Sequence, residues 1–148
     1  DGILDGGEIC EAGEHLFIGL SHRTNEHGAQ QLAGFLASFG YTSSLIDIRG
    51  VSNILHLKSG LAYLGGKQLV LIEALRGIEE FSGYDAICLD STENYAANCF
   101  EINGKVLIAG GFPATRSKLE HMGYQTIALD MSEFQKMDGG LSCLSLRF

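Results

Sequence analysis

The sequence predicts an α/β fold made of three repeated units, each in the order strand, strand, helix, strand. Three Gly-Tyr pairs indicate the repeat: they begin at Gly40, Gly83 and Gly123, and each separates a helix-like segment from a strand-like one. A spacing of about 40 residues is typical of architectures in which small modules stack. One such module cannot bury its sheet alone, so we expect the three to pack around a common centre that carries the functional groups.

The first unit covers residues 1–49 and shows the plan. Strands are predicted at Glu8–Cys10 and Leu16–Leu20, where apolar residues cluster. Thr24 is a candidate N-cap for a helix with one apolar face. Gly40 ends that helix, because glycine readily adopts the left-handed conformation that follows a helix. A strand after Gly40 completes the unit.

The second and third units, residues 50–90 and 91–130, follow the same plan. The pairs Gly65-Gly66 and Asn103-Gly104 each join two apolar runs, which is the pattern of a β-hairpin. The predicted elements are strands Ile54–Leu64, Gln68–Ile72 and Tyr84–Leu89 with a helix at Glu73–Phe81, then strands Phe100–Ile102, Lys105–Ala109 and Tyr124–Leu129 with a helix from Pro113 to Gly123. A short helix at Met131–Lys136 and a last strand within residues 138–148 complete the chain.

Composition restricts the class of protein. A chain of 148 residues fits one domain, and ten Lys and Arg against eighteen Asp and Glu give a net charge of −8. This charge, with no basic run, argues against a nucleic-acid partner and favours a small cationic substrate. The longest apolar stretch, Gln68 to Leu75, is far short of the roughly 20 residues that span a bilayer, so we expect no membrane partner.

The four cysteines, at positions 10, 88, 99 and 143, form no CxxC pair and no zinc-ligand spacing. We therefore expect no disulfide framework, no metal and no cofactor, and we assign the protein to a reducing cytoplasm. No signal-peptide pattern opens the chain. Because the first residue is Asp1 and not methionine, we expect a cut or an internal boundary at this point.

Cys143 is the candidate nucleophile. It follows Gly139-Gly140, and alternation along residues 141–148 places it on the polar face of the predicted strand, opposite Leu144 and Leu146. A cysteine that only fills the core would lie on the apolar face. The pattern therefore favours a reactive thiol over an inert one.

His56 is the candidate acid/base partner. It lies in an alternating run in which Ile54, His56 and Lys58 share one face. A histidine in such a place is more often a hydrogen-bonded structural residue. Paired with Cys143, its imidazole would keep the thiol ionised and transfer protons near neutral pH.

Five segments together point to a known family: Leu4-Asp5-Gly6-Gly7-Glu8, Gly19-Leu20-Ser21-His22-Arg23-Thr24-Asn25, Leu55-His56-Leu57-Lys58-Ser59, Tyr95-Ala96-Ala97-Asn98-Cys99 and Asp138-Gly139-Gly140-Leu141-Ser142-Cys143. They resemble segments of dimethylarginine dimethylaminohydrolase, in that family's order and over essentially the whole chain. Arginine deiminases and amidinotransferases share parts of the set. The resemblance implies a pentein-like fold, a five-bladed α/β propeller of ββαβ modules, of which this chain holds about three from the C-terminal part.

The same resemblance implies hydrolysis of Nω-methylated arginine to citrulline and an alkylamine. Cys143 would attack the guanidinium carbon, His56 would transfer protons, and Asp5 would orient the imidazole and balance the substrate's charge. Arg23 would bind the substrate carboxylate, and the backbone carbonyl of Met137 would contact its amino group. From the residues alone, Asp5 also fits an ordinary turn and Arg23 a solvated surface position. Asn98 and Cys99 belong to the family pattern, and we assign them a structural role.

Two further functional interpretations stay open. One is another guanidino-modifying enzyme, acting on arginine or agmatine, and the other is a non-catalytic propeller used for binding. Three modules leave open sheet edges and an incomplete ring. We therefore expect the chain to form a homo-oligomer or to bind a complementary N-terminal fragment.

Overall fold

The computed structural model describes residues 1–146, and it contains three small sheets, one for each predicted unit. In each sheet the first two strands are antiparallel and the third lies parallel to the second. The strands are β1 (Ile9–Ala12), β2 (His15–Leu20) and β3 (Thr42–Asp47); β4 (Leu61–Tyr63), β5 (Gln68–Ile72) and β6 (Asp85–Leu89); and β7 (Phe100–Ile102), β8 (Lys105–Ala109) and β9 (Gln125–Leu129). The repeat of strand, strand, crossover, strand is thus present in all three modules.

The α-helices are α1 (Glu26–Ala37), α2 (Leu57–Gly60), α3 (Pro113–His121) and α4 (Ser132–Gln135), and 3-10 turns lie at Gly6–Glu8, Glu73–Leu75, Glu79–Phe81 and Ser91–Ala97. α1 and α3 are the crossovers of the first and third modules. Within residues 1–146, no helix has the length and apolar character needed to cross a membrane.

The start of α1 differs from the prediction by one residue. Asn25 is the N-cap, and its side-chain oxygen accepts a hydrogen bond from the backbone N–H of Gly28 at 2.8 Å. Thr24, the predicted cap, is buried, and its hydroxyl accepts a hydrogen bond from the backbone N–H of Asp5 at 2.9 Å. Thr24 therefore fixes the segment before β1 and leaves the capping of α1 to its neighbour.

Alternation along β2 explains how the first sheet is covered on both faces. Leu16 and Ile18 pack with Ala29 of α1 in one apolar cluster. Phe17 points the other way, into the main core that all three modules share. This core includes buried residues of β5 and β8, such as Leu71 and Ile108. The modules are therefore held together by side-chain packing between separate sheets.

The first strands of the modules meet at a common centre. A cavity of about 460 Å³ is lined by Cys10 and Glu11 of β1, Ala62 of β4, and Phe100 and Glu101 of β7. The arrangement agrees with the expectation that the modules pack around one centre.

Two predicted elements of the second module are wrong. The helix expected at Glu73–Phe81 is replaced by two 3-10 turns, because Gly77 between them has a φ of +81°, which a helix cannot contain. The strand expected at Ile54–Leu64 is reduced to β4. His56 lies just before α2, because the backbone N–H of Leu57 donates to a side chain of the first module and not to a neighbouring strand.

The strand predicted within residues 138–148, which was to carry Cys143, is also not present in its described part, residues 138–146. Residues 141–144 make turns, in which the backbone N–H groups of Cys143 and Leu144 both donate to the carbonyl of Gly140. These N–H groups are used locally, so they cannot pair with a strand. Leu144 and Leu146, expected on an apolar face, are exposed, and Arg147 and Phe148 lie outside the described residues.

The start of α3 depends on Glu93. Its carboxylate is buried and accepts hydrogen bonds from the backbone N–H groups of Ala114 at 3.1 Å and Thr115 at 2.6 Å. Burial by itself raises the pKa of this carboxyl, but the hydrogen bonds from Thr115 and Ala114 outweigh it and lower the pKa below the usual 4.5.

Glu93→Gln should lower the free energy of unfolding at neutral pH by about 1 kcal/mol, because glutamine offers one acceptor oxygen to the two N–H groups. The lowered pKa means that the stabilisation is present above the unfolded-state pKa and is lost as pH falls through the folded-state pKa. The difference between the two proteins should therefore shrink below about pH 4 in urea titrations. Glu79→Gln, at an exposed glutamate, is the control, and a Glu93→Gln difference that does not change with pH would contradict the assignment.

Candidate active site

The carboxylate of Glu8 organises the residues around His56. The side chain is fully buried, with 0% exposure. One oxygen accepts hydrogen bonds from the Ser21 hydroxyl at 2.7 Å and from Nδ1 of His56 at 3.3 Å, and the other accepts one from the backbone N–H of Leu57 at 2.8 Å. Buried carboxylates are costly unless their oxygens are satisfied, and these are satisfied by donors from two modules.

Gly7 lets the imidazole lie directly against the backbone of the turn before β1. A Cβ at this position would lie 2.6 Å from Cγ and 2.8 Å from Nδ1 of His56. Any larger residue would push the ring away from Glu8. The Gly-Gly pair in this motif therefore has a steric role beside its turn geometry.

Asp5 lies at the edge of the same group. Its carboxylate accepts a hydrogen bond from the backbone N–H of Gly7 at 2.8 Å, and it approaches Nδ1 of His56 to 3.8 Å. Arg23 is 4.0 Å from the other oxygen of Asp5 and is half-exposed. The structure thus brings together three of the predicted site residues, His56, Asp5 and Arg23.

The contacts of the imidazole assign different tasks to its two nitrogens. Both nearby carboxylates, those of Glu8 and Asp5, face Nδ1 of His56. A proton on Nδ1 satisfies this geometry and leaves the lone pair on Nε2. Nε2 is therefore the nitrogen available for proton transfer.

Cys143 lies on a different segment, in the turns that follow α4. Its side chain is exposed. The loop before it is fixed by the Tyr95 hydroxyl, which donates to the carbonyl of Gly139 at 2.5 Å. Burial, and then the nearby Cys143 charge, raises the pKa of the Tyr95 phenol, so it stays protonated and remains a donor.

Within residues 1–146, no hydrogen bond or ion pair joins Cys143 to His56 directly. The two segments are linked through Asn98, whose side chain contacts the backbone near each of them. Met137, the other predicted contact on the Cys143 segment, is 84% exposed. Its carbonyl contact with substrate stays a prediction.

Sequence reasoning missed two residues of this region, Glu8 and Asn98. Glu8 was assigned to a strand and Asn98 to a structural role, although both lie in the motifs that carry the family resemblance. A charged residue inside a Gly-Gly turn motif was a usable signal for Glu8. For Asn98 no local signal existed, since its partners lie 40 and 44 residues away in the chain.

A second cavity, of about 320 Å³, lies between the two segments. It is lined by Leu55 and Ser59 on one side, by Asp138 and Gly140 on the other, and by Asn94 and further polar residues. Its volume is in the range of small-molecule sites. Within residues 1–146, His, Cys, Asp and Glu side chains form no group of three or more that could hold a metal ion.

Comparisons with known proteins agree with this geometry. The chain is 40% identical over 147 residues to the dimethylarginine dimethylaminohydrolase of Pseudomonas aeruginosa, a match that covers 99% of this chain and 57% of the relative. The structure superposes with a TM-score of 0.92 on a mutant of the P. aeruginosa enzyme complexed with citrulline, at 39% identity, covering 99% of this chain and 56% of that one. No family model matches the sequence.

More distant structures have the same fold. An amidinotransferase of the saxitoxin pathway from Microseira wollei gives a TM-score of 0.81 at 16% identity, covering 96% of this chain and 46% of that one. The chain therefore has the fold of the guanidino-modifying enzymes, and its three sheets are ββαβ modules of their α/β propeller. Its resemblance to dimethylarginine dimethylaminohydrolase, indicated by the five motifs, is confirmed. The chain spans a little over half the length of these relatives.

The environments of the cysteines predict their order of reactivity. Cys143 is exposed, whereas Cys99 is buried, and burial raises the pKa of the Cys99 thiol to about 12. At neutral pH and with the protein folded, iodoacetamide should therefore label Cys143 and leave Cys99 unlabelled, as judged by peptide mass spectrometry. Denaturant should abolish the difference in labelling between the two cysteines. Cys143→Ser is the control that identifies the labelled Cys143 peptide. Equal labelling of Cys99 in the folded protein would contradict the prediction.

Proposed function

We propose that this chain is the C-terminal part of a hydrolase that converts Nω-methylated arginine and water to citrulline and an alkylamine. One observation carries the proposal: Nδ1 of His56 is held by a buried carboxylate, which leaves Nε2 for proton transfer in a chain that also presents an exposed cysteine. The 40% identity to a dimethylarginine dimethylaminohydrolase supports the choice of substrate.

In the proposed reaction, Nε2 of His56 takes the proton of the Cys143 thiol, and the resulting thiolate attacks the guanidinium carbon and forms a C–S bond. The carbon–nitrogen bond to the methylated nitrogen then breaks, and His56 gives that nitrogen a proton so that it leaves as a neutral amine. His56 next takes a proton from water, which attacks the same carbon. The C–S bond breaks, citrulline leaves, and the thiolate is restored.

The charges around His56 suit a cationic substrate. Asp5 is partly exposed and lies within ion-pair distance of the imidazole, so its carboxylate is available to a guanidinium group beside it. Arg23, half-exposed beside Asp5, is proposed to bind the substrate carboxylate, a task that suits a planar guanidinium. The Met137 carbonyl is proposed to accept from the substrate's amino group. A reducing cytoplasm suits this chemistry, because it keeps Cys143 as a thiol.

The third module supports the proposal that further modules complete the ring. The last strand of each sheet can be compared: β3 buries Ile46 and β6 buries Ile87 and Leu89 in the main core. In β9, by contrast, Ile127 and Leu129 are 38% and 40% exposed. Within residues 1–146, a neighbouring module thus covers β3 and β6 but not β9. We propose that β9 is covered by the N-terminal modules or by a second copy of the chain.

Cys143→Ser should reduce citrulline formation from asymmetric dimethylarginine to background, because a serine hydroxyl is not ionised near neutral pH. The assay uses the full-length protein, with Cys88→Ser at a half-buried cysteine of β6 as the matched control. The control should keep full turnover. Turnover that survives in Cys143→Ser would refute the cysteine mechanism. If the unsubstituted protein forms citrulline from arginine but not from methylated arginine, the proposed substrate is wrong.

The chain alone should self-associate, or bind the separately produced N-terminal modules, when examined by light scattering. Leu129→Asp should weaken that association, because it puts a charge on the surface proposed to be covered. Phe35→Asp is the matched control, since Phe35 is 64% exposed on α1 of the first module. A folded monomer that does not bind the N-terminal modules would refute the proposal.

A further inference from the structure

The side chain of Asn98 joins the two segments that carry the proposed reacting groups. It is 5% exposed and follows the 3-10 turn Ser91–Ala97. Its Nδ2 donates to the backbone carbonyl of Lys58 at 3.0 Å, and its Oδ1 accepts from the backbone N–H of Ser142 at 2.8 Å. Lys58 is two residues after His56, and Ser142 directly precedes Cys143.

We propose that Asn98 is a positioning residue that sets the separation between His56 and Cys143. The inference rests on the proposed function, because it assigns Asn98 a role in the reaction of that pair. Asn98 itself touches neither reacting group through its side-chain hydrogen bonds. It acts through the backbone on each side.

The partners of Asn98 require an amide at this position. A backbone carbonyl can only accept a hydrogen bond, and a backbone N–H can only donate one. A side chain that satisfies both must offer one donor and one acceptor in a fixed relation, as asparagine does. Aspartate has the same shape but presents two acceptors, so it would keep the bond to Ser142 and repel the carbonyl of Lys58.

Gly140 gives independent support, because its missing side chain makes room for this amide. A Cβ at Gly140 would lie 2.6 Å from both Cγ and Nδ2 of Asn98. The φ of Gly140 is not positive, so the backbone itself would accept other residues. Close approach to Asn98 is therefore the structural requirement for glycine here.

The residues joined by Asn98 also lie beside the two cavities described above. Lys58 and Ser142 line the larger one, whereas Ser59 and Gly140 line the smaller one together with Asn98. Displacement of either segment would therefore change both the alignment of the reacting groups and the space beside them. A misplacement of about 1 Å can lower the rate of an enzyme by about 10²-fold.

The test compares Asn98→Asp and Asn98→Ala in the full-length protein. Asn103 of the β7–β8 hairpin supplies the matched controls, Asn103→Asp and Asn103→Ala, because it is exposed and is not among the residues that line the two cavities. Both Asn98 variants should lower kcat for asymmetric dimethylarginine by about 10²-fold, with KM changed by less than about threefold. The Asn103 variants should change neither kcat nor KM.

Amide hydrogen exchange supplies a measurement that does not depend on turnover. Asn98→Ala should increase exchange of the Ser142 N–H by about tenfold or more, because it loses its acceptor, whereas Asn98→Asp should keep it protected. Loss of kcat in Asn98→Asp with Ser142 still protected would show that the link to Lys58 is needed as well. Gly140→Ala should lower kcat in the same way, since it displaces the amide.

Three results would overturn the proposal. One is unchanged kcat in folded Asn98→Ala. Another is unchanged exchange of Ser142 in that variant. The third is a loss of activity matched by an equal loss in the Asn103 variants, which would indicate a general effect on the fold. If the unsubstituted protein does not hydrolyse methylated arginine, the proposed function fails, and the rate of Cys143 alkylation is then compared among the same variants. A slower rate of alkylation in the Asn98 variants alone supports the positioning role. Equal rates in all variants refute it.

Discussion

The buried carboxylate of Glu8 is the interaction on which the arrangement of the first two modules depends. An ionised group in the interior is tolerated only when its oxygens are hydrogen-bonded, and the cost of leaving it unpaired is several kcal/mol, on the order of 3–5. Its donors come from Ser21 in the first module and from His56 and Leu57 in the second. The modules therefore cannot shift against each other without breaking these hydrogen bonds to a buried carboxylate, and the same contacts orient the imidazole. The hydrogen bonds of Glu8 thus fix both the contact between the first two modules and the orientation of His56, the proposed acid/base residue.

The contact between the second and third modules is formed differently, by the segment that connects β6 to β7. Strand hydrogen bonds stay within each sheet in residues 1–146, so they do not link modules. The residues between β6 and β7 provide the link: Glu93 caps α3, Tyr95 holds Gly139, and Asn98 contacts Lys58 and Ser142. The sheets supply the shape of each module, and these polar side chains supply the relative positions of the loops that carry function.

This division explains which features were predictable from the sequence. Strands such as β5 and β8, and hairpins such as the one at Asn103-Gly104, depend on alternation and turn residues, which are local, and they were predicted closely. The conformations around His56 and Cys143 were predicted wrongly as strands. At both places a backbone N–H, that of Leu57 or Ser142, donates to a side chain more than 40 residues away in the chain. No local pattern contains that information, although the residue types themselves correctly marked the region.

The distribution of contacts also gives a physical reason why these three modules can carry both proposed reacting groups. Bond formation at sulfur and proton transfer at nitrogen depend on distances of a few tenths of an ångström, and the groups that hold Cys143 and His56, namely Glu8, Tyr95 and Asn98, all belong to this chain. Recognition of a guanidinium by carboxylates follows Coulomb's law, which falls slowly with distance and tolerates looser placement. Residues that recognise a guanidinium can therefore lie in a different module from the reacting groups. Cys143 and His56, the proposed nucleophile and acid/base residue, could not lie on opposite sides of such a boundary unless contacts as close as those of Asn98 also held them there.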